Sequence, residues 1–305
     1  MSRHACRISK ELIIKSVSRV SVVSTGTVQI RPEHVETNGT PLLWWLNTSR
    51  RWTDPRPINV YVIEHDKGLV LFDTGQDRRS VTDPGYFPGG PAGHIYRRLA
   101  KFDIPSDATL TDRLRGQGYD IADVRVAILS HLHQDHIGGL RELPKSTQVL
   151  VSAAELAEAG KRLAVFAGLM REHIHVPGVN WTAVTPQAVE DAAIAPFSHA
   201  HDVMGDGSLL LLLPTPGHTP GSISLLMRSE GLSPMMFVGD LTYDVRLLAA
   251  NRVPGVGDAA RLHDTTRQVN LLAARYPGMP LLAAHDPAAG SLLTTALGQH
   301  GTGPA

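Results

Sequence analysis

The chain has 305 residues, 42% of them hydrophobic, and its 29 basic side chains balance 29 acidic ones. Zero net charge without a basic run leaves no electrostatic footprint for nucleic acid or an anionic membrane. A single cysteine, Cys6, excludes an internal disulfide and a cysteine-based zinc site. The opening mixes Arg3, Arg7, Lys10, Glu11 and Lys15 with short apolar pairs and lacks the continuous apolar core of a signal peptide. The leucine run at 209–213 is far shorter than the roughly 20 residues a bilayer requires. The expectation is a cytoplasmic protein that contacts neither nucleic acid nor membrane.

Residues 1–53 read as an N-terminal arm followed by a first strand over 20–28, rich in β-branched side chains. Pro41-Leu42-Leu43-Trp44-Trp45-Leu46 is an aromatic cluster that suits core packing, a pocket rim or a subunit contact, the last making a homodimer. Strands at 58–63 and 69–72 flank Asp66-Lys67-Gly68, a hairpin signal, and the second runs into Asp73-Thr74-Gly75. A Gly/Pro-rich connection follows over 76–105, with a short helix expected at 95–101. Connections of this length are often lids or binding loops, so Tyr86 and Phe87 join Trp44 and Trp45 as candidates for an apolar pocket rim.

A helix closed by glycine is expected at 110–118, strands at 124–129 and 148–151, and helices at 153–160 and 161–173. Gly205-Asp206-Gly207 predicts a hairpin turn, and Pro214, Pro216 and Pro220 interrupt the chain after the leucine run. Strands at 223–227, 235–238 and 280–284 surround a long amphipathic helix at 259–275, and 299–305 reads as a loose tail. Without a low-complexity linker or repeat, one α/β domain over 1–305 is expected.

One stretch organises the rest: Ser130-His131-Leu132-His133-Gln134-Asp135-His136. It places three imidazoles and a carboxylate in six residues directly after an apolar strand. Imidazole nitrogen and carboxylate oxygen suit zinc and similar ions. Four donors so crowded cannot all face one ion comfortably, which points to two neighbouring ions. The same pattern recurs: 209–213 leads to His218, 236–238 to Asp240, and 281–284 to His285. Each is an apolar strand, then a glycine, proline or other small residue, then a His or Asp. A lone His after a strand is usually structural, but four such strand ends can build one dinuclear pocket.

With Asp73-Thr74-Gly75, the H-x-H-x-D-H loop, Thr215-Pro216-Gly217-His218, Gly239-Asp240 and Ala284-His285-Asp286 in place, the chain resembles the metallo-β-lactamase superfamily over residues 58–288. The resemblance implies an αββα sandwich with two divalent ions, zinc foremost, at one sheet edge. It implies that His131, His133 and His218 hold one ion, that Asp135, His136 and His285 hold the other, and that Asp240 bridges them. Asp73 would orient a ligand imidazole from behind. Tyr243, three residues after Asp240, is similar in spacing to a tyrosine of the N-acyl-homoserine lactonases whose hydroxyl contacts the substrate lactone. On that reading the partner is a small lactone. Two ions would make a shared water nucleophilic for attack on the ester carbonyl, with Tyr243 donating to that carbonyl and Asp135 protonating the leaving alkoxide.

Other features carry less. His173-Ile174-His175 reads as a surface or helix end, and His199-Ala200-His201-Asp202 as a structural strand. Nucleophile elbows, phosphate loops and a catalytic cysteine are all missing from the sequence. The competing activities are another hydrolase on the same scaffold: phosphotriesterase-like, a different lactonase, or a glyoxalase II-like thioesterase, for which Arg246 or Arg252 would supply a cationic anchor. From another class, a regulatory protein could keep the ions without turnover.

Overall fold

In a computed structural model, residues 17–205, 210–229 and 231–298 are described. Cys6 and the arm before Val17, the centre of the expected turn at 206–207, Leu209 and the tail at 299–305 lie outside the described residues.

Most strands are apolar on both faces, because both faces are covered. β1 (Val17–Ile30), β2 (Arg56–His65), β3 (Gly68–Phe72), β4 (Ala100–Asp103), β5 (Val124–Ile128), β6 (Gln148–Ser152) and β7 (Asn180–Val184) form one sheet, ordered β4-β1-β2-β3-β5-β6-β7. β8 (Gln187–Ala188), β9 (His199–Asp202), β10 (Leu210–Pro214), β11 (Ile223–Met227), β12 (Met235–Gly239) and β13 (Leu281–Ala283) form the other, ordered β13-β12-β11-β10-β9-β8. Alternate residues of each sheet meet in the middle: Tyr61, Ile63, Val70 and Phe72 pack with Leu210, Leu212, Leu225 and Phe237. Their neighbours in sequence face outwards. Val60, Val62 and Leu71 pack under the helix Leu110–Gly116, and Leu213, Met236 and Val238 under the helix Ala259–Arg275. The αββα sandwich is therefore present, and the uninterrupted leucine run is what a strand buried on both faces requires.

Strand direction decides where the site lies. β10 and β12 both run antiparallel to β11, and β13 is parallel to β12, so β10, β12 and β13 end at one edge. In the first sheet β3 and β5 are parallel and end together. Across the sandwich, the Tyr61 hydroxyl donates to the Ala283 carbonyl at 2.6 Å. The backbone N–H of Ile223 donates to the Ser130 carbonyl at 3.0 Å. These bonds pin the two sets of strand ends against each other.

The expected hairpin forms with His65 opposite Gly68. Two expectations are corrected. The helix expected at 161–173 is broken into a 3₁₀ turn, Ala164–Ala167, and a short helix, Arg171–Ile174, because Gly168 adopts a left-handed φ of 88° between them. The helix expected at 95–101 lies earlier, at Gly90–Leu99, and the chain then turns into β4. The tryptophan cluster is itself a helix, Leu42–Thr48, and divides its roles. Trp45 and Leu46 are buried, while Leu43 and Trp44 are each 66% exposed. Among the described residues no helix is long and apolar enough to cross a membrane.

Candidate metal centre

Seven side chains from four strand ends converge. His131, His133 and His218 form one group of possible ligand atoms, all within 4.8 Å of one another. Asp135, His136 and His285 form a second, and Asp240 groups with His131 and His136, one member of each. The carboxylate of Asp240 divides between them. Its Oδ2 lies 3.5 Å from His218 Nε2, and its Oδ1 lies 3.4 Å from His136 Nε2 and 3.5 Å from His285 Nε2. Asp135 Oδ2 is 3.5 Å from His285 Nε2. His131, His136, Asp240 and His285 are buried, whereas His133 and Asp135 keep some exposure and mark the open side.

The rear atoms of four of the five imidazoles are held by the protein, while that of His218, Nδ1, is buried without a hydrogen-bonding partner. His136 Nδ1 is 2.8 Å from Asp73 Oδ2. The Ser130 hydroxyl donates to Asp73 at 2.9 Å and lies 3.0 Å from His131 Nδ1, so Asp73 orients both rings. His285 Nδ1 faces the Pro57 carbonyl at 2.9 Å, and His133 Nε2 faces the Ala167 carbonyl, also at 2.9 Å. Each such bond fixes the N–H on the rear atom and turns a lone pair inwards, the arrangement that metal-binding imidazoles use. Three front atoms, His131 Nε2, His136 Nε2 and Asp240 Oδ1, are buried without a hydrogen-bonding partner, and His218 Nε2 lies 3.0 Å from His133 Nδ1. Buried polar groups are rarely left so. Convergent donor atoms on rings mostly held from behind fit divalent cations.

Electrostatics agree. Burial, reinforced by the neighbouring imidazoles, holds His131 and His218 well below the ordinary histidine range, leaving neutral donors. At His136 burial acts the same way but is outweighed by Asp240 and Asp73, whose negative charge draws positive charge to that ring. Asp240 stays ionised despite burial because His285, His136 and His218 surround it. The two carboxylates thus demand positive charge at the spot where a cation would supply it.

Residues 53–285 match the family model described as the metallo-beta-lactamase superfamily. The chain belongs to this superfamily. Among curated superfamily relatives, it is 30% identical to the N-acyl homoserine lactonase AttM of Agrobacterium fabrum over 76% of its own length and 82% of the relative's. It is 29% identical to a probable metallo-hydrolase of Mycobacterium tuberculosis, over 75% and 74% of the two chains. A solved N-acyl homoserine lactone hydrolase with the product N-hexanoyl-L-homoserine at its catalytic metal centre superposes with a TM-score of 0.70 at 22% identity, covering 89% of this chain and 94% of that one. A dizinc quorum-quenching lactonase, AidC, gives 0.56 at 16% identity, over 90% and 91%.

Around this superfamily centre the structure adds residues that sequence reasoning missed. Glu155, fully buried, accepts from Leu132 N at 3.1 Å, Thr219 Oγ1 at 2.7 Å and Gly221 N at 3.1 Å. It ties the His131–His133 loop to the His218 loop. In sequence it reads as an ordinary acid in a short helix, and only its place three residues after the capping Ser152 was legible. His34 reaches the Tyr243 hydroxyl at 2.9 Å from 209 residues away, a contact no local pattern signals. Tyr243 is buried and donates to Asp240 Oδ2 at 2.8 Å, with its ring stacked 5.7 Å from that of His285.

The remaining candidates fall outside the cluster. His173 ends a helix and stacks on Tyr86 at 4.1 Å, and His199 and His201 lie on β9. Asp286 accepts from the backbone N–H groups of Val245 and Ala288, each at 2.8 Å, rather than facing the donors. Arg246 is held by Asp244 and Arg252 by Glu36, so neither is a free anchor. Tyr86 and Phe87, expected at a pocket rim, line a cavity of about 600 Å³ with Val165, Leu169 and Met170. Gly168, adjacent in sequence to Leu169 of that lining, lies against the His133 ring.

Proposed function

We propose that this chain is a metal-dependent hydrolase that opens the lactone ring of N-acyl-homoserine lactones in the cytoplasm. The observation that carries the reading is the buried Tyr243 hydroxyl, 2.8 Å from Asp240 beside the donor cluster. It is joined by the 30% identity to a lactonase and by a solved relative that holds a ring-opened product at its metal centre. His131, His133 and His218 would hold one cation and Asp135, His136 and His285 a second, with Asp240 shared. Zinc is the ion that this donor set and the dizinc relative favour. Two such cations supply Lewis acidity for a carbonyl and make water nucleophilic near neutral pH.

The chain's own residues do the rest. Tyr243 stays a phenol, because burial and then Asp240 push its pKa well above the ordinary value, so it can donate to the carbonyl oxygen as charge builds there. Asp135, on the open side and 3.5 Å from His285, can take up the proton that the attacking water gives up and hand it to the alkoxide released from the ring. A lactone suits the site because acid and alcohol remain joined after cleavage.

A second reading, cleavage of an anionic thioester, draws on Arg97, Lys161, Arg162 and Arg171 around the cavity beside Tyr86. One substrate panel on purified protein tests both: short- and long-chain homoserine lactones, simple lactones, a phosphotriester and a glutathione thioester, each with and without chelator. Chelator-sensitive turnover of acyl-homoserine lactones is expected. Inert lactones beside strong phosphotriester or thioester cleavage would overturn the first reading.

A further inference from the structure

Tyr243 Oη has two neighbours and one proton. The proton points at Asp240 Oδ2, 2.8 Å away, and the second neighbour is His34 Nε2 at 2.9 Å. Because the phenol's single proton is committed to the carboxylate, Oη must accept from His34, which fixes that ring as the Nε2–H tautomer. His34 Nδ1 is buried and takes no hydrogen bond, as a bare ring nitrogen would. The rings meet edge-on, with centroids 5.0 Å apart at 77°.

The imidazole is held from its own backbone and from behind. His34 lies in a single helical turn, Pro32–Val35, whose entry is closed by the His34 N–H donating to the Arg31 carbonyl at 2.9 Å. Gly255 N donates to the His34 carbonyl at 3.1 Å, and buried Trp45 stands 6.3 Å from the ring. A histidine with merely a packing role would not need its donor aimed at the hydroxyl that itself donates to Asp240.

We propose that His34 is a positioning residue that grips the Tyr243 oxygen, so that the hydroxyl proton can swing from Asp240 to a substrate carbonyl. The inference rests on the lactonase reading. Rotation of the O–H about the C–O bond redirects the proton without breaking the bond from His34. Accepting from His34 also makes the hydroxyl a stronger donor, since linked hydrogen bonds polarise one another.

The test is a double-mutant cycle with His34→Ala, His34→Gln, Tyr243→Phe and the paired variant His34→Ala/Tyr243→Phe, each normalised to its metal content and thermal melt. His34→Ala is expected to lower kcat about tenfold with little change in KM, the effect of one hydrogen bond felt in the transition state. His34→Gln, which keeps an N–H donor, should recover most of it, and His34→Ala should cost nothing further once Tyr243 is phenylalanine. Equal losses in both backgrounds, or none in either, would overturn the proposal. If His34→Ala does not fold, His34→Leu takes its place in the cycle. Independently of turnover, ¹⁵N NMR of the metal-free protein should show His34 protonated on Nε2, and an Nδ1–H tautomer would refute the assignment. A wild type inert on every lactone would sink the lactonase reading alone, because the cycle can be run on whichever ester the protein cleaves.

Discussion

Asp73 Oδ2 lies 2.8 Å from His136 Nδ1, and through the Ser130 hydroxyl the same carboxylate governs His131. One buried acid therefore orients an imidazole in each of the two ligand groups. Asp73 occupies a left-handed backbone position, φ 63°, which asparagine tolerates nearly as well. Asp73→Asn thus separates loss of the acceptor from loss of the fold. It is expected to weaken metal binding about 10- to 100-fold, as measured by competition with graded chelators. Unchanged affinity would remove Asp73 from the metal centre.

Asp135→Asn probes the proton donor. Asparagine keeps one oxygen towards His285 but cannot take up a proton and pass it on. The variant should retain its fold and most of its metal while kcat falls by about 10²–10⁴. Steady-state kinetics beside elemental analysis would decide this, and full activity would remove the acid role.

Glu155 offers a stability prediction. Both of its oxygens are committed as acceptors, to two backbone N–H groups and one hydroxyl. In Glu155→Gln the amide NH₂ must face one set of those donors, leaving buried groups unpaired at a cost of about 1–3 kcal/mol. Thermal unfolding should show the lowered Tm. Because the bonds hold the loops of His131, His133 and His218, about one equivalent of metal should be lost more readily than the other.

What could be read from residues alone follows a physical rule. His131, His218, Asp240 and His285 each lie within a few residues of a strand apolar on both faces, so local pattern reveals both the strand and the group it releases. Asp73 and Tyr243 are singled out only through the family resemblance, which no local pattern of strand and turn would have supplied. Glu155, His34 and the Ala167 carbonyl are different: each meets its partner only in the folded chain, at a sequence separation of 23 or more. The false helix at 161–173 has the same origin. Its apolar spacing is helical, yet Gly168 must turn so that the chain can pass beneath His133.

That close passage supplies the last prediction. Gly168 has φ 88°, and a Cβ built on it would stand 2.3 Å from His133 Nε2 and 2.4 Å from Cδ2 of the same ring. Alanine there meets two penalties, the strained backbone and the clash, so one must be relieved by movement of the imidazole or of the 164–168 turn. Either movement lengthens the 2.9 Å bond that fixes the His133 tautomer. Gly168→Ala should destabilise the protein by at least about 1 kcal/mol. It should also weaken the site shared by His131, His133 and His218 while sparing Asp135, His136 and His285. Cobalt substitution followed by absorption spectroscopy would separate the two sites. A variant with wild-type melting and two equivalent, fully occupied sites would show that the contact with His133 is not needed.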